Sequence, residues 1–401
     1  MQRTYKYRAY ANQKTINNAN EWLERCRHLY NAGLEQRIIS YRQNRKSITR
    51  FQQINQLVGL RQEFPEYKNV VAQVLGDVLT RLDRTVGRFI GGNGFPRFKA
   101  KDRYNSFTLG QVGNGWKLDG KYLNVSRVGK FKLKLHRPIK GIIKQVIVKR
   151  RPTGKWYVCF VCDDVPAKIL PPCDKKVGID VGLRSFCVDS DDNKADNQKI
   201  FEKSHKLLRI RSRAVNRKAK GSKRRIKSRI LMAKVHEKIF NQRNDFLHKL
   251  AKKYIEQYGE IYVEKLNIRA LKRDHHVANS IADVSWGRFY LLLADKAESA
   301  GRKFGQVNPR NTSQICSRCG KKVKKGRNVY MHKCPYCGLH ISRDLNAAIN
   351  ILKRGISGLG LKPSTANVSG CRKRRLRIVR GTKVTEQRPH LVNKKKGVNN
   401  A

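Results

Sequence analysis

The stretch Val177-Gly178-Ile179-Asp180-Val181-Gly182-Leu183-Arg184-Ser185-Phe186-Cys187-Val188-Asp189 decides the fold of this chain's second half. It reads as a buried strand, a tight turn at glycine and a second strand. One carboxylate, Asp180, stands among Val177, Ile179 and Val181. Burying an acid there is costly unless it meets a cation or serves chemistry. Further on, Glu260-Ile261-Tyr262-Val263-Glu264 reads as another buried strand that ends in an acid. A third acid, Asp344, opens the apolar helix Asp344-Leu345-Asn346-Ala347-Ala348-Ile349-Asn350. Any one of the three is more often an ion-pair partner than a catalyst. Three that converge could hold two divalent ions about 3.5–4 Å apart. Hard oxygen ligands favour Mg²⁺ or Mn²⁺.

Just ahead of Asp344 the chain carries Cys316-Ser317-Arg318-Cys319 and, after fourteen residues, Cys334-Pro335-Tyr336-Cys337. This is close to tetrathiolate zinc spacing, and Gly320 and Gly338 let the backbone turn after each pair. With four thiols no ligand position is left for water, so a Zn²⁺ held there would be structural and would stiffen the segment that delivers Asp344. A redox pair or disulfides are the alternatives, disfavoured in a reducing cytosol. Of the ten cysteines, Cys159 and Cys162 share the spacing but lie on an expected strand, where residues three apart face opposite ways. Cys26, Cys173, Cys187 and Cys371 have no visible ligand neighbours.

Lys and Arg number 89 against 29 acids in 401 residues, a formal charge of +60. Such an excess predicts a polyanionic partner and steep salt dependence. No apolar run reaches the roughly 18–20 residues of a membrane helix, and the N-terminus lacks the apolar core of a signal peptide. The expected location is the cytoplasm, at the nucleoid when DNA is bound. Zinc ligation beside a candidate catalytic carboxylate, in a chain this basic, points to a nuclease.

Residues 3–9 alternate as a strand, and helical spacing runs through Ile16, Ala19, Leu23, Cys26, Tyr30, Leu34 and Ile38 and again through Val71, Val74, Val78, Leu82, Val86 and Phe89. Segment 104–163 carries hairpin signals at Asp119-Gly120 and Thr153-Gly154, which predict a small sheet or barrel joined by the first strand. Lys203 to Lys238 holds fifteen Lys/Arg and one acid, Glu237. A helix so charged repels itself unless a polyanion lies against it. After Arg354 the apolar period is lost and a basic, mostly disordered tail is expected.

Five motifs then follow one another in order: Gly178–Gly182, Val263-Glu264-Lys265-Leu266-Asn267, Thr312-Ser313-Gln314 with Cys316 and Cys319, Cys334 with Cys337, and Arg343–Asn350. Together with Leu29-Tyr30-Asn31, Pro96-Arg97-Phe98-Lys99 and Gln242–Leu250, they resemble the TnpB family. These are insertion-sequence-encoded, RNA-guided DNA endonucleases with a split RuvC-type nuclease, related to compact type V CRISPR effectors. The likeness spans roughly residues 1–355.

The resemblance implies a multidomain α/β protein. Residues 1–10 and 96–166 would form a β-barrel wedge and 11–95 a helical recognition lobe. Residues 172–308 and 341–355 would form a ribonuclease-H-like nuclease domain, with a basic helical insertion at 203–250. Residues 309–340 would be a zinc-ribbon insertion and 356–401 the tail. Asp180, Glu264 and Asp344 match the family's catalytic, magnesium-binding acids, and Cys316, Cys319, Cys334 and Cys337 its zinc ligands. Nucleic-acid contacts are expected from Gln73, Arg97, Phe98, Lys99, Lys101 and Arg103, and from Arg217, Lys218, Lys220, Lys223, Arg224 and Arg225. The implied partners are a guide RNA from the transposon end and double-stranded target DNA, cut beside a short flanking motif by a monomer or a weak dimer on the RNA. Base pairing would read the target and the protein the flanking motif. Ser342 and Gly76 depart from the acid and the Gln that family members often carry there.

Competing readings are a nuclease-inactive RNA-guided repressor, a CRISPR-associated effector, a strand transferase and an RNA-packaging protein. The complete set of acids argues against the repressor. A transferase set ends in Glu rather than Asp, and packaging explains the charge but not the acids.

Overall fold

The computed structural model describes residues 1–110, 113, 115–271, 273, 278–326 and 329–358. From residue 359 onward the basic tail, with Cys371, lies outside these residues. The first half runs β1 Arg3–Tyr10, α1 Gln13–Asn44, α2 Arg50–Asn55, α3 Leu57–Glu63, α4 Ala72–Ile90, β2 Ser106–Leu109, β3 Trp116–Asp119, β4 Tyr122–Val125, β5 Gly129–Lys134, β6 Ile142–Arg150 and β7 Trp156–Asp163. The second runs β8 Lys176–Val181, β9 Ser185–Asp189, β10 Lys194–Asp196, α5 Ile200–Asn216, α6 Lys223–Gln257, β11 Glu260–Glu264, α7 Ile268–Leu271, α8 Ala278–Val284, α9 Trp286–Ala300, β12 Lys303–Val307, β13 Met331–Lys333, β14 His340–Ser342 and α10 Arg343–Ile356.

Seven strands of the first half form one sheet in the order β2-β6-β7-β1-β5-β4-β3. The N-terminal strand sits at its centre, antiparallel to β5 and β7. Alternation sends Tyr5, Tyr7 and Ala9 into the core and leaves Lys6 and Tyr10 outside. The turns at Gly120 and Gly154 take φ of +51° and +79°, which favour glycine. The edge strands β2 and β3 are consecutive in the chain, and the Trp116 indole donates to the Gly110 carbonyl at 3.1 Å. No ladder joins them among the described residues, so the sheet or barrel expected here is a nearly closed sheet.

Helices α1 and α4 bury Leu23, Leu34, Val74 and Leu82 in the same continuous core as Phe107, Phe131 and Phe160 of this sheet. Asn31 on α1 accepts from the Lys99 amide at 2.7 Å and donates to its carbonyl at 3.0 Å. Two of the short family-like motifs therefore meet.

The second sheet has the order β10-β9-β8-β11-β12. β8, β11 and β12 are parallel, and β9 is antiparallel to both β8 and β10. Val177, Ile179 and Val263 join the core made with Leu247, Ala251 and Tyr254 of α6 and Phe289 and Leu293 of α9. The intervening residues face α10. At Gly178 an added Cβ would fall on the Ala348 carbonyl oxygen and 2.5 Å from the Leu352 nitrogen. At Gly355 it would meet the Tyr262 ring. These two glycines let α10 lie directly on β8 and β11. No helix among the described residues is long and apolar enough to cross a membrane.

Candidate active site and cysteine cluster

β11 runs parallel to β8 with Val263 opposite Ile179. The next residue on each strand is an acid, so Glu264 and Asp180 emerge side by side at the carboxyl ends, where open α/β sheets present their crevices. Asp180 lies two residues beyond Gly178 and so shares the α10 face. α10 begins at the Ser342 cap, whose hydroxyl accepts from the Leu345 amide at 3.1 Å. Capping gives the serine at this position a structural role. Asp344 falls in the first helical turn, where the helix dipole favours negative charge.

All three acids line one cavity of about 270 Å³, together with Thr312, Arg184, Arg343 and Tyr330. Burial, and then the neighbouring charges of Glu264 and Asp344, hold Asp180 well above the usual carboxylate range, with Arg343 opposing. Burial also raises Glu264, against the Thr312 hydroxyl that donates to it and the charge of Arg354. Arg343 lies 3.3 Å from Asp344. Asp180 and Glu264 thus carry a burial cost that the chain's own cations do not fully offset, a condition that favours recruiting divalent cations.

The four thiols gather as well. The sulfurs of Cys316, Cys319, Cys334 and Cys337 all lie within 4.8 Å of one another, a set able to hold a metal ion. Cys316 is 3.6 Å from Cys337, and Cys319 is 3.6 Å from Cys334. Each pair is followed by a left-handed glycine, Gly320 at φ +75° and Gly338 at +69°. Their amides donate to the Cys316 and Cys334 carbonyls, both at 3.0 Å. Burial raises the Cys334 thiol, but the Tyr336 and Cys337 amides and the neighbouring thiols outweigh it and bring it to about 6, while, against the Leu339 amide, burial and hydrogen bonds to the other three thiols push Cys337 up to about 12. Cys159 and Cys162 both lie on β7, outside this cluster.

Polar residues that the sequence reading passed over tie the cluster to α10. Buried Asn346 accepts from the Ser317 amide at 2.9 Å and donates to the Ile315 carbonyl at 2.8 Å. Asn350, one turn on, donates to the carbonyls of Thr312 and Ile315 at 2.9 and 2.7 Å. The Arg354 guanidinium reaches the carbonyls of Asn308 and Arg310. The available signal was asparagine at i and i+4 on the buried face of an apolar helix.

None of the expected nucleic-acid contacts lines the carboxylate cavity. Arg97, Phe98, Lys101 and Arg103 are exposed between α4 and β2, and Lys99 lies over the Tyr30 ring at 5.2 Å. Gln73 accepts from the Gly110 amide at 3.2 Å and lines a second cavity with Gly76, Thr108 and Gln145. At the α5–α6 junction Arg217, Lys220, Lys223 and Arg224 are exposed. Lys218 there donates to Ser228, and Arg225 to the Lys218 carbonyl, so these two hold the junction itself. A larger cavity of about 690 Å³ beside α5 and α6 is lined by Lys203, Lys238, Lys249 and Lys253 and by none of the three acids.

Three family models match along the chain. They are a helix-turn-helix domain of the OrfB/IS605 type over residues 1–46, an OrfB/IS605 probable transposase over 160–274, and a Cas12f1-like TNB domain over 286–351. A putative RNA-guided DNA endonuclease of Streptomyces pristinaespiralis is 28% identical over 386 residues, 90% of this chain and 92% of that one. A TnpB-like protein of Acanthamoeba polyphaga mimivirus is 28% identical over 58% of this chain and 46% of its own. Among solved structures, Cas12f1 in complex with sgRNA and target DNA superposes with a TM-score of 0.54 at 16% identity, over 85% of this chain and 83% of that one. At that identity the match speaks for the fold. With its ordered motifs, matches spread along the chain and a relative spanning nearly all of it, this chain is similar along most of its length to RNA-guided DNA endonucleases of the TnpB type.

Proposed function

We propose that this chain is an RNA-guided DNA endonuclease that cuts double-stranded DNA at the cavity formed by Asp180, Glu264 and Asp344. The observation that carries the reading is the convergence of three acids, from two parallel strands and a helix start, on one small polar cavity beside a basic surface. We read the five-stranded sheet as ribonuclease-H-like, with residues 309–340 inserted ahead of its last helix. The first sheet and its helices are read as the platform for guide RNA and flanking DNA.

The donor set fits Mg²⁺ or Mn²⁺: three hard carboxylates on one cavity, two of which, Asp180 and Glu264, burial holds above their usual range. When bound, such ions supply an activated water and stabilise the departing 3′ oxygen. The chain's residues set the geometry. Thr312 donates to Glu264 and orients it. The Ser342 cap and the glycine contact at 178 fix where Asp344 enters. Arg184 and Arg343 bring positive charge to the rim, offsetting the repulsion between acids and an incoming phosphodiester. The four thiols fit Zn²⁺, whose role here is to stiffen residues 309–340 so that the loop bonded to Asn346 and Asn350 keeps its place.

Asp180→Ala tests the reading. The variant is expected to bind guide RNA and matched DNA in mobility-shift assays as the parent does, and to cut neither linear nor plasmid DNA. Residual cutting by that variant would remove the proposed site.

A further inference from the structure

Tyr330 belongs to the cysteine-bearing segment, immediately before β13, yet its ring lines the carboxylate cavity. Two guanidinium groups converge on it from other parts of the fold. Arg184, in the turn between β8 and β9, lies 4.9 Å from the ring centroid, and Arg343, at the start of α10, lies 5.5 Å from it. Arg343 is also held by its backbone N–H, which donates to the Tyr330 carbonyl at 2.8 Å, and by its ion pair with Asp344. Arg184 is exposed, and among the described residues no carboxylate pairs with it. Tyr330 itself remains 49% exposed, so its ring is not there to fill a core.

A strand crossing this cavity needs two things that the acids do not provide. Its phosphates must be drawn toward a cluster of carboxylates, and its bases must be held without regard to sequence, because pairing with the guide chooses the target. An exposed aromatic face beside a guanidinium meets both needs, since every base offers a π-face. We infer that Tyr330 and Arg184 form a nucleotide subsite beside the phosphodiester that is cut: the Tyr330 ring stacks on the flanking base, and Arg184 bonds the next phosphate. The inference rests on the nuclease reading of Asp180, Glu264 and Asp344.

The test uses the full chain with its guide RNA and a matched DNA duplex under single-turnover conditions. Tyr330→Ala should slow cutting about 5- to 150-fold, the span of base–aromatic stacking, and Tyr330→Phe should cut nearly as the parent does. An abasic site at the stacked position should slow the parent by a similar factor, and Tyr330→Ala should then cause little further loss. Arg184→Ala should slow cutting of natural DNA, and its effect should shrink when the neighbouring phosphate is an uncharged methylphosphonate. Several results would overturn the subsite: unchanged cutting by Tyr330→Ala, equal slowing on intact and abasic DNA, or loss of bound zinc from Tyr330→Ala, which would make the ring a latch for its own segment. Cutting by Asp180→Ala would instead overturn the nuclease centre, and the subsite with it.

Discussion

Replacing Gly178 with alanine should separate the catalytic role of α10 from its packing. The new Cβ would sit on the Ala348 carbonyl oxygen and 2.5 Å from the Leu352 nitrogen, whereas ordinary contact begins near 3.4 Å. Both atoms are helix backbone and cannot swing aside as a side chain would. α10 must therefore retreat by at least about 0.9 Å, the difference between 3.4 and 2.5 Å. Overpacking of this kind costs about 1–3 kcal/mol. The stiffer unfolded chain returns about 0.4–1 kcal/mol, so the net effect is destabilising. Ala348 lies little more than one helical turn from Asp344, and a rigid helix carries the displacement there. A misplacement of about 1 Å at reacting groups can cost on the order of 100-fold in rate. Urea unfolding and single-turnover cutting of a matched duplex give the two numbers. Gly87→Ala, at an exposed position of α4 with nothing within 4 Å of an added Cβ, is the control and should be neutral or slightly stabilising. Cutting at the parent rate by Gly178→Ala, with unchanged stability, would refute the idea that Asp344 depends on the seating of α10 against β8.

Asn350→Ala should cost about 1–3 kcal/mol, because it strips the Thr312 carbonyl of its donor inside the fold, and should speed zinc release to a chromophoric chelator. Parent-like zinc release would show that Asn350 does not hold the segment. Protonation of Asp180 gives the protein a pH-dependent stability when magnesium is absent. Its folded pKa is raised, so the favourable contribution is complete below the unfolded value of about 3.9 and is lost as pH rises through the folded value. Across that window Asp180→Asn should show a flatter stability profile than the parent in urea titrations. Mn²⁺ affinity of the parent should rise with pH as the bound protons are displaced. Parallel pH profiles for parent and variant would contradict the burial-driven shift.

Much of the site was legible because its chemistry is local. Asp180 stands out against Val177, Ile179 and Val181, and Cys-x-x-Cys with a following glycine is a geometric unit within six residues. Strand and helix periods likewise exposed β1, α1, α4 and the hairpins at Gly120 and Gly154. Asn346 and Asn350 were harder to read, since a polar side chain in a helix does not reveal which distant carbonyl it will satisfy. Lys218 and Arg225 were read with their neighbours as contacts for nucleic acid, and the bonds they also make to Ser228 and to the Lys218 carbonyl were not legible in the sequence. Charge in a sequence does not say whether a cation faces out or braces a turn.

The sequence alone determined that three acids and four thiols were available, and that the chain carries far more positive charge than its own acids can balance. Tertiary structure decided that Glu264 stands beside Asp180, because parallel register aligns the two strand ends. It decided that Asp344 reaches them, because two glycines let a helix lie against the sheet without side chains between. It also brought Tyr330, from the cysteine-bearing segment, to the rim of the cavity that the acids line. Each of these is a contact across many tens of residues, fixed by backbone packing and register rather than by the character of any one residue.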